Sequence, residues 1–355
     1  MERFTENKII LVTRHTRLDE LIMRFNTLKQ AQFYLERQGA DFSDYLKEDE
    51  TYKQVLIKVE NILSYLGRVQ KLERSFLPNF IFAPQDTVVV LGQDGLVANT
   101  LKYLNGQRVV GVNPDPQRWE GVLLPFQVDD LKKVVLDVFA RHCTVKEITM
   151  AKVTLNNGQI LHGVNDLFIG PRSHTSARYL IQIGHQREQH LSSGIIVSTG
   201  LGSTGWFKSL MTGALSISQA WNNLHPPQNA PTHPKIGDSE LEIGQFLRND
   251  VVPKHSPSSQ KSKQFHPKTP QIGSYQFPWD ADYLYFTVRE PFLSATSSSH
   301  LVFGKIAPHQ PMLLVSQMPE NGVIFSDGIE SDFLKFDAGT EASIGVAEKR
   351  GQLVV

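Results

Sequence analysis

The turn Gly92-Gln93-Asp94-Gly95 follows the apolar run Thr87-Val88-Val89-Val90-Leu91. It leads into Leu96, Val97, Thr100, Leu101 and Leu104 at helical spacing. Glycine permits positive φ and lets a ligand approach the backbone closely. The helix that follows offers unpaired amides and a positive dipole end to a phosphate group. A carboxylate at Asp94 would then sit beside a phosphoryl group and accept a hydroxyl proton. The same four residues also serve as a plain strand-to-helix connection capped by Asp94, and on spacing alone that is the commoner use. A second cluster, Ser198-Thr199-Gly200-Leu201-Gly202-Ser203-Thr204-Gly205-Trp206, follows the run Gly194-Ile195-Ile196-Val197. Its hydroxyls and glycines suit ribose or phosphate oxygens; its plain use is a helix start capped by Ser203 or Thr204. Asn165-Asp166, at the mouth of another apolar run, can hydrogen-bond a base or sugar, or close an Asx turn. His174, His185 and His190 have neither Cys partners nor an HExxH-like spacing, so solvated or internally bonded histidines are expected.

The elements that must position these groups alternate. Residues 8–13, 87–91 and 108–112 are short apolar, β-branched runs, as expected of buried parallel strands. Between them, residues 17–38 carry a helical stripe through Leu18, Leu21, Ile22, Phe25, Leu28, Ala31 and Leu35. A second stripe runs through Tyr52, Val55, Leu56, Val59, Ile62, Leu63 and Leu66. Strand, helix and glycine turn predict a doubly wound α/β domain over 1–140, with ligands at the strands' C-terminal ends. From about residue 146 the period becomes two, and 147–154, 159–163, 166–170, 178–184 and 194–198 read as strands. A β-rich, sandwich-like domain over 141–325 follows. Further strands are expected at 282–288, 301–305 and 312–316, and turn-linked hairpins over the last thirty residues. Residues 221–280 hold nine of the chain's nineteen prolines with many Ser, Gln, Lys and His residues, and read as a surface insertion.

Composition narrows the class. The 355 residues, 40% hydrophobic and 20% charged, suffice for buried cores and exclude a collagen-like or wholly disordered chain. Thirty-six basic residues balance thirty-six acidic ones, so no global field favours nucleic acid or an anionic membrane. The single Cys143 excludes an internal disulfide and fits a reducing compartment. The first residues lack the pattern of a signal or transit peptide. No run reaches the roughly 18 apolar residues of a spanning helix. A cytoplasmic protein without nucleic-acid or membrane partners is expected.

Taken in order, these clusters resemble the NAD kinase family. Gly92-Gln93-Asp94-Gly95-Leu96 is similar to its phosphate turn, GGDG followed by Thr. Asn165-Asp166 is similar to its Asn-acid pair, and Val197 to Trp206 to its VSTPTGSTAY stretch. Asp327-Gly328 looks like its DG before the closing hairpins. The run Gly111 to Gly121, Gly200, Trp206 and Val288-Arg289-Glu290-Pro291 look like the mitochondrial-type branch of animals. The resemblance implies phosphorylation of the adenosine ribose 2′-hydroxyl of NAD by ATP with Mg²⁺, giving NADP, by an enzyme that generally forms homo-oligomers such as a dimer. It implies that Asp94 positions or deprotonates the hydroxyl. Gly92, Gln93 and Gly95 would line the phosphate turn, and Asn113, Asn165 and Asp166 would contact nucleotide. Ser198, Thr199, Ser203 and Thr204 would supply hydroxyls, and residues 326–355 would return to the first domain.

Three positions depart from the family's pattern. Gln93 stands for its second glycine, Leu96 for the threonine after GGDG, and Leu201 for a threonine of the second stretch. A lost hydrogen bond to a charged group costs about 1.5–3 kcal/mol. Three readings therefore stay open: an NAD kinase, a nucleotide-binding protein with weak or lost catalysis, and a kinase with another acceptor.

Overall fold

A computed structural model describes residues 3–225, 275–295, 297–330 and 332–355; most of the expected 221–280 insertion lies outside the described residues. By internal contacts the chain divides into one unit of residues 1–207 and 277–355 and another of 208–276.

The first unit opens with strand β1 (Lys8–Thr13), four of whose residues are fully buried aliphatics. Helices α1 (Arg17–Phe25) and α2 (Leu28–Arg37) follow. The sequence stripe over 17–38 had suggested one helix. The chain breaks it at Asn26, whose φ of 65° is left-handed, and restarts at Thr27, whose hydroxyl accepts from the Gln30 amide. Helix α3 (Phe42–Leu66) starts ten residues before the stripe that announced it. The parallel strands β2 (Arg68–Glu73), β3 (Thr87–Leu91) and β4 (Arg108–Val112) complete the order β2-β1-β3-β4. Between β3 and β4 lies α4 (Asp94–Leu101), and α5 (Leu131–Phe139) follows β4. Strand order reverses between β1 and β3, so the Gly92–Gly95 turn leaves the sheet at its topological switch point.

Strands β5 (Val145–Leu155), β6 (Ile160–Gly163), β7 (Asp166–Pro171), β8 (Ala177–Ile183), β9 (Gln186–Ser192) and β10 (Ile195–Ser198) follow. Helix α6 (Trp206–Leu224) then begins, passing into the second unit from Lys208. Beyond the undescribed segment come β11 (Leu284–Val288), β12 (Phe303–Ile306), β13 (Met312–Ser316), β14 (Gly322–Ser326), β15 (Phe333–Lys335) and β16 (Glu341–Val354). The fold is an α/β N-terminal part joined to a β-rich C-terminal part.

One sheet runs through both parts. Its path is β2-β1-β3-β4-β16-β13-β8-β9, with β5 and β6 on a branch from β16. Strand β16 pairs antiparallel with β5 along its length, and its end, Gln352 and Leu353, pairs parallel with Arg108 and Val109 of β4. A six-stranded antiparallel sheet, β12-β11-β10-β7-β14-β15, forms the second layer. Residues of alternate parity, such as Leu167 and Ile169 of β7 and Ile195 and Val197 of β10, pack against Tyr179, Ile181, Met312 and Ile344 of the long sheet. Their neighbours Asp166 and Phe168 take the opposite face of the sheet.

Candidate functional site

The Asp94 turn is held from below. Tyr52 donates its hydroxyl to the Leu91 carbonyl at 3.0 Å and accepts the Arg14 amide at 3.1 Å, tying the ends of β1 and β3 to α3. Burial pushes this phenol up to about 12. The Arg14 guanidinium donates to Glu48 at 2.9 Å; Arg17 reaches both Glu48 and Asp44, and Arg118 reaches Asp44. Hydrogen bonds from Arg118 and Arg17 hold the Asp44 carboxyl well below the usual range.

Asp94 is the first residue of α4 and is half-buried. It does not cap the helix: the N-cap is Gln93, whose side chain makes no capping hydrogen bond. Instead, Asp94 Oδ1 accepts the Leu123 amide at 2.7 Å, and Oδ2 has no hydrogen-bond partner among the described residues. That bond ties the turn to the 113–126 loop, which lies flat on β4. A Cβ on Gly111 would meet the Leu123 carbonyl oxygen at 2.1 Å, so only glycine admits the loop. Asn113 is spent inside this loop: Nδ2 donates to the Trp119 carbonyl at 2.9 Å and Oδ1 accepts the Asp115 amide at 3.0 Å.

The turn's glycines differ. A Cβ on Gly92 would lie 2.7 Å from the Leu96 side chain, whereas Gly95 is exposed with nothing within 4 Å of its Cβ position. Leu96 is buried in an apolar cluster that also contains Leu123, Val164 and Leu201. The two leucines that stand where the NAD kinase pattern has threonines are thus core residues here, joining the Gly92–Gly95 turn to the other two loops.

Those loops converge. The amides of Val164, Asn165 and Asp166 point at Oδ1 of Asp327, at 2.9, 2.6 and 3.3 Å. Asp327 adopts a φ of 56°, which turns its carboxylate back onto the loop. The Thr199 hydroxyl donates to the Val164 carbonyl at 2.5 Å, and the Thr199 amide to the Asn165 carbonyl at 3.0 Å. Ser203 donates to the Gly200 carbonyl at 2.6 Å and Ser198 to the Thr199 carbonyl at 3.1 Å; all three side chains are buried. Thr204 is exposed, with a longer contact of 3.4 Å to the Leu201 carbonyl. Cβ atoms on Gly200 or Gly202 would fall 1.9 Å from the carbonyl oxygens of Pro278 and Asn165, so these glycines admit neighbouring backbone.

Burial, then the Asp327 charge, pushes the Asp166 carboxyl up to about 7. Burial also raises Asp327, against the pull of Lys102 and the three amides. The buried Lys102 was not singled out from sequence. It pairs with Asp332 at 2.5 Å and donates to Ser326 at 3.1 Å, linking α4's end to the loop after β14. Residues so far apart in the chain carry no shared sequence signal. His174 and His185 are exposed, and His190 is buried with Nε2 3.0 Å from Glu188.

Among the described residues no group of three or more His, Cys, Asp or Glu side chains could hold a metal ion, and no helix is long and apolar enough to cross a membrane. A cavity of about 630 Å³ opens at the ends of β1 and β2, lined by Arg14, His15, Tyr52, Lys53 and Glu73 but not by the 92–95 turn.

The chain is similar in structure to a yeast NADH kinase solved in complex with NADH: the TM-score is 0.53 at 12% identity, over 99% of this chain and 84% of that one. An NAD kinase from Archaeoglobus fulgidus in complex with ATP aligns with a TM-score of 0.48 at 13% identity, over 98% of this chain and 93% of that one. The first likeness shows a shared NAD kinase fold. No protein-family model matches the chain. No curated protein matches it in sequence.

Proposed function

We propose that this protein is an NAD kinase-like phosphotransferase that uses ATP to phosphorylate the 2′-hydroxyl of the adenosine ribose of NAD. One observation carries the reading: Asp94 heads a helix at the switch point, with one carboxylate oxygen anchored to Leu123 and the other uncommitted. In this role Oδ2 takes the hydroxyl proton as the ribose oxygen bonds to the γ-phosphorus. The bond from that phosphorus to the β,γ-bridging oxygen breaks, and ADP leaves. The α4 amides and the exposed Gly95 backbone face the phosphoryl oxygens. Asn165, Asp166 and Thr204 border the acceptor, while Ser198, Thr199 and Ser203 hold the loop that presents them. Magnesium enters as part of the nucleotide substrate, on its phosphates. The reading includes the division into 1–140, 141–325 and 326–355, the mitochondrial-type branch, a homodimer and a cytoplasmic setting.

Purified protein given NAD, ATP and Mg²⁺ is expected to form NADP, and to form none when ATP is omitted. Failure to phosphorylate NAD or NADH with either ATP or polyphosphate would overturn the reading. A second reading, dinucleotide binding with little turnover, is favoured by the buried Leu96 and Leu201 and by the hydroxyls committed to backbone. Calorimetric binding of NAD without product would select it.

A further inference from the structure

Helix α4 begins at Asp94 and ends at its C-cap residue, Lys102, which is buried. Lys102 Nζ pairs with Asp332 at 2.5 Å and donates to the Ser326 hydroxyl at 3.1 Å; the Tyr103 hydroxyl donates to the same Asp332 oxygen at 2.7 Å. Ser326 ends β14 directly before Asp327, so this bond fixes the chain where it turns back onto the 164–166 amides. The helix end is itself held, because Lys349 of β16 donates to the Lys102 carbonyl at 2.6 Å and to the Leu104 carbonyl at 3.2 Å. A continuous line of contacts therefore runs from α4 through Lys102, Ser326 and Asp327 to Asn165 and Asp166.

A buried ion pair adds little net stability over apolar packing of the same volume, which points to a geometric use. Three carboxyls, Asp166, Asp327 and Asp332, lie along this line, and among the described residues Lys102 is the one cation paired with any of them. Burial raises Asp327, and the Lys102 charge is first among the influences that lower it, ahead of the three amides. Burial and then the Asp327 charge push Asp166 up to about 7. The remaining titratable groups around Lys102 are Tyr103, Lys349 and His162 of β6. Burial lowers Lys349, and burial followed by Lys349 and Lys152 pushes His162 down to about 4, so this imidazole stays neutral.

Resting on the phosphotransferase reading, we propose that Lys102 is a positioning residue: it sets the Asp327 clamp, and with it the acceptor-bordering Asn165–Asp166 loop, against the helix whose other end carries Asp94. Lys102 touches neither substrate. It acts on the acceptor rather than the donor, whose phosphates meet the opposite end of α4.

The test compares Lys102→Met with wild type. KM for NAD is expected to rise about tenfold, with KM for ATP within about twofold of wild type. The carboxyl ¹³C resonance of Asp166, assigned with Asp166→Asn, is expected to titrate about one pH unit lower, because an Asp327 without its cation takes up a proton and no longer repels charge at Asp166. A lysine that only supports the fold would lower the melting temperature and leave the Asp166 titration and the ratio of the two KM values as in wild type. Where Lys102→Met does not fold, Lys102→Met/Asp332→Asn, which removes both charges, is expected to fold and to show the same two changes. An unshifted Asp166 titration, or KM values for NAD and ATP that keep the wild-type ratio, would overturn the proposal. Wild-type protein that forms no NADP would instead sink the phosphotransfer reading, and the Asp166 titration would still decide whether Lys102 governs the clamp.

Discussion

The two glycine-rich turns look alike in sequence and are used in opposite ways. At Gly92–Gly95 the backbone is open at its tip, and the carboxylate keeps an oxygen free. At Gly200–Gly205 the glycines admit the Pro278 and Asn165 carbonyls, and the buried hydroxyls are consumed by backbone. Glycine and hydroxyl content therefore does not mark a ligand surface. What matters is which atoms are left without an internal partner, and by that measure the first turn is the one left open to a ligand while the second is closed on the Asn165 loop.

The contrast can be broken most forcefully at the glycines. Gly202→Ala drives a Cβ into backbone and should destabilise by several kcal/mol, beyond the about 1–3 kcal/mol of ordinary overpacking. Gly95→Ala should change stability by less than about 1 kcal/mol. Urea unfolding of the pair reads both, and equal losses would erase the distinction.

A smaller effect concerns the closed region's buried acids. Because the folded Asp166 carboxyl is pushed up to about 7, the folded chain holds a proton that the unfolded chain releases near its ordinary value of about 4. Stability from this group is fully present below that lower value and is lost as pH rises towards about 7, by up to about 1.4 kcal/mol per unit. Asp166→Asn should flatten the melting temperature between pH 4 and 8. An unchanged slope would mean that Asp166 is charged throughout.

The smallest effect is local to the open turn. Gln93 is an N-cap without a capping bond, so Gln93→Ser should stabilise by about 0.5–1 kcal/mol, read from the urea midpoint.

The strands β1, β3 and β4 were legible because buried parallel strands are uninterrupted aliphatic runs. Strand β2, with Arg68, Gln70 and Lys71 exposed at the sheet edge, carries no such run and was missed. The Asn26-Thr27 break was written in the sequence as a left-handed residue followed by a cap, but the apolar stripe ran across it. At the site, Asp94 and Asn165 were legible as polar residues at strand mouths. The use of Asp327 as a clamp on three amides, and the Lys102–Asp332 pair, were not, because both depend on tertiary packing between distant segments.

The division of labour is tested most directly by the rate of ATP-dependent NADP formation by Asp94→Asn relative to wild type. The asparagine oxygen can still accept the Leu123 amide, so the fold should persist, and a melting curve checks this. The rate should fall by about 10²–10⁴-fold. A folded Asp94→Asn protein that makes NADP at the wild-type rate would contradict the assignment of the free carboxylate to the chemistry.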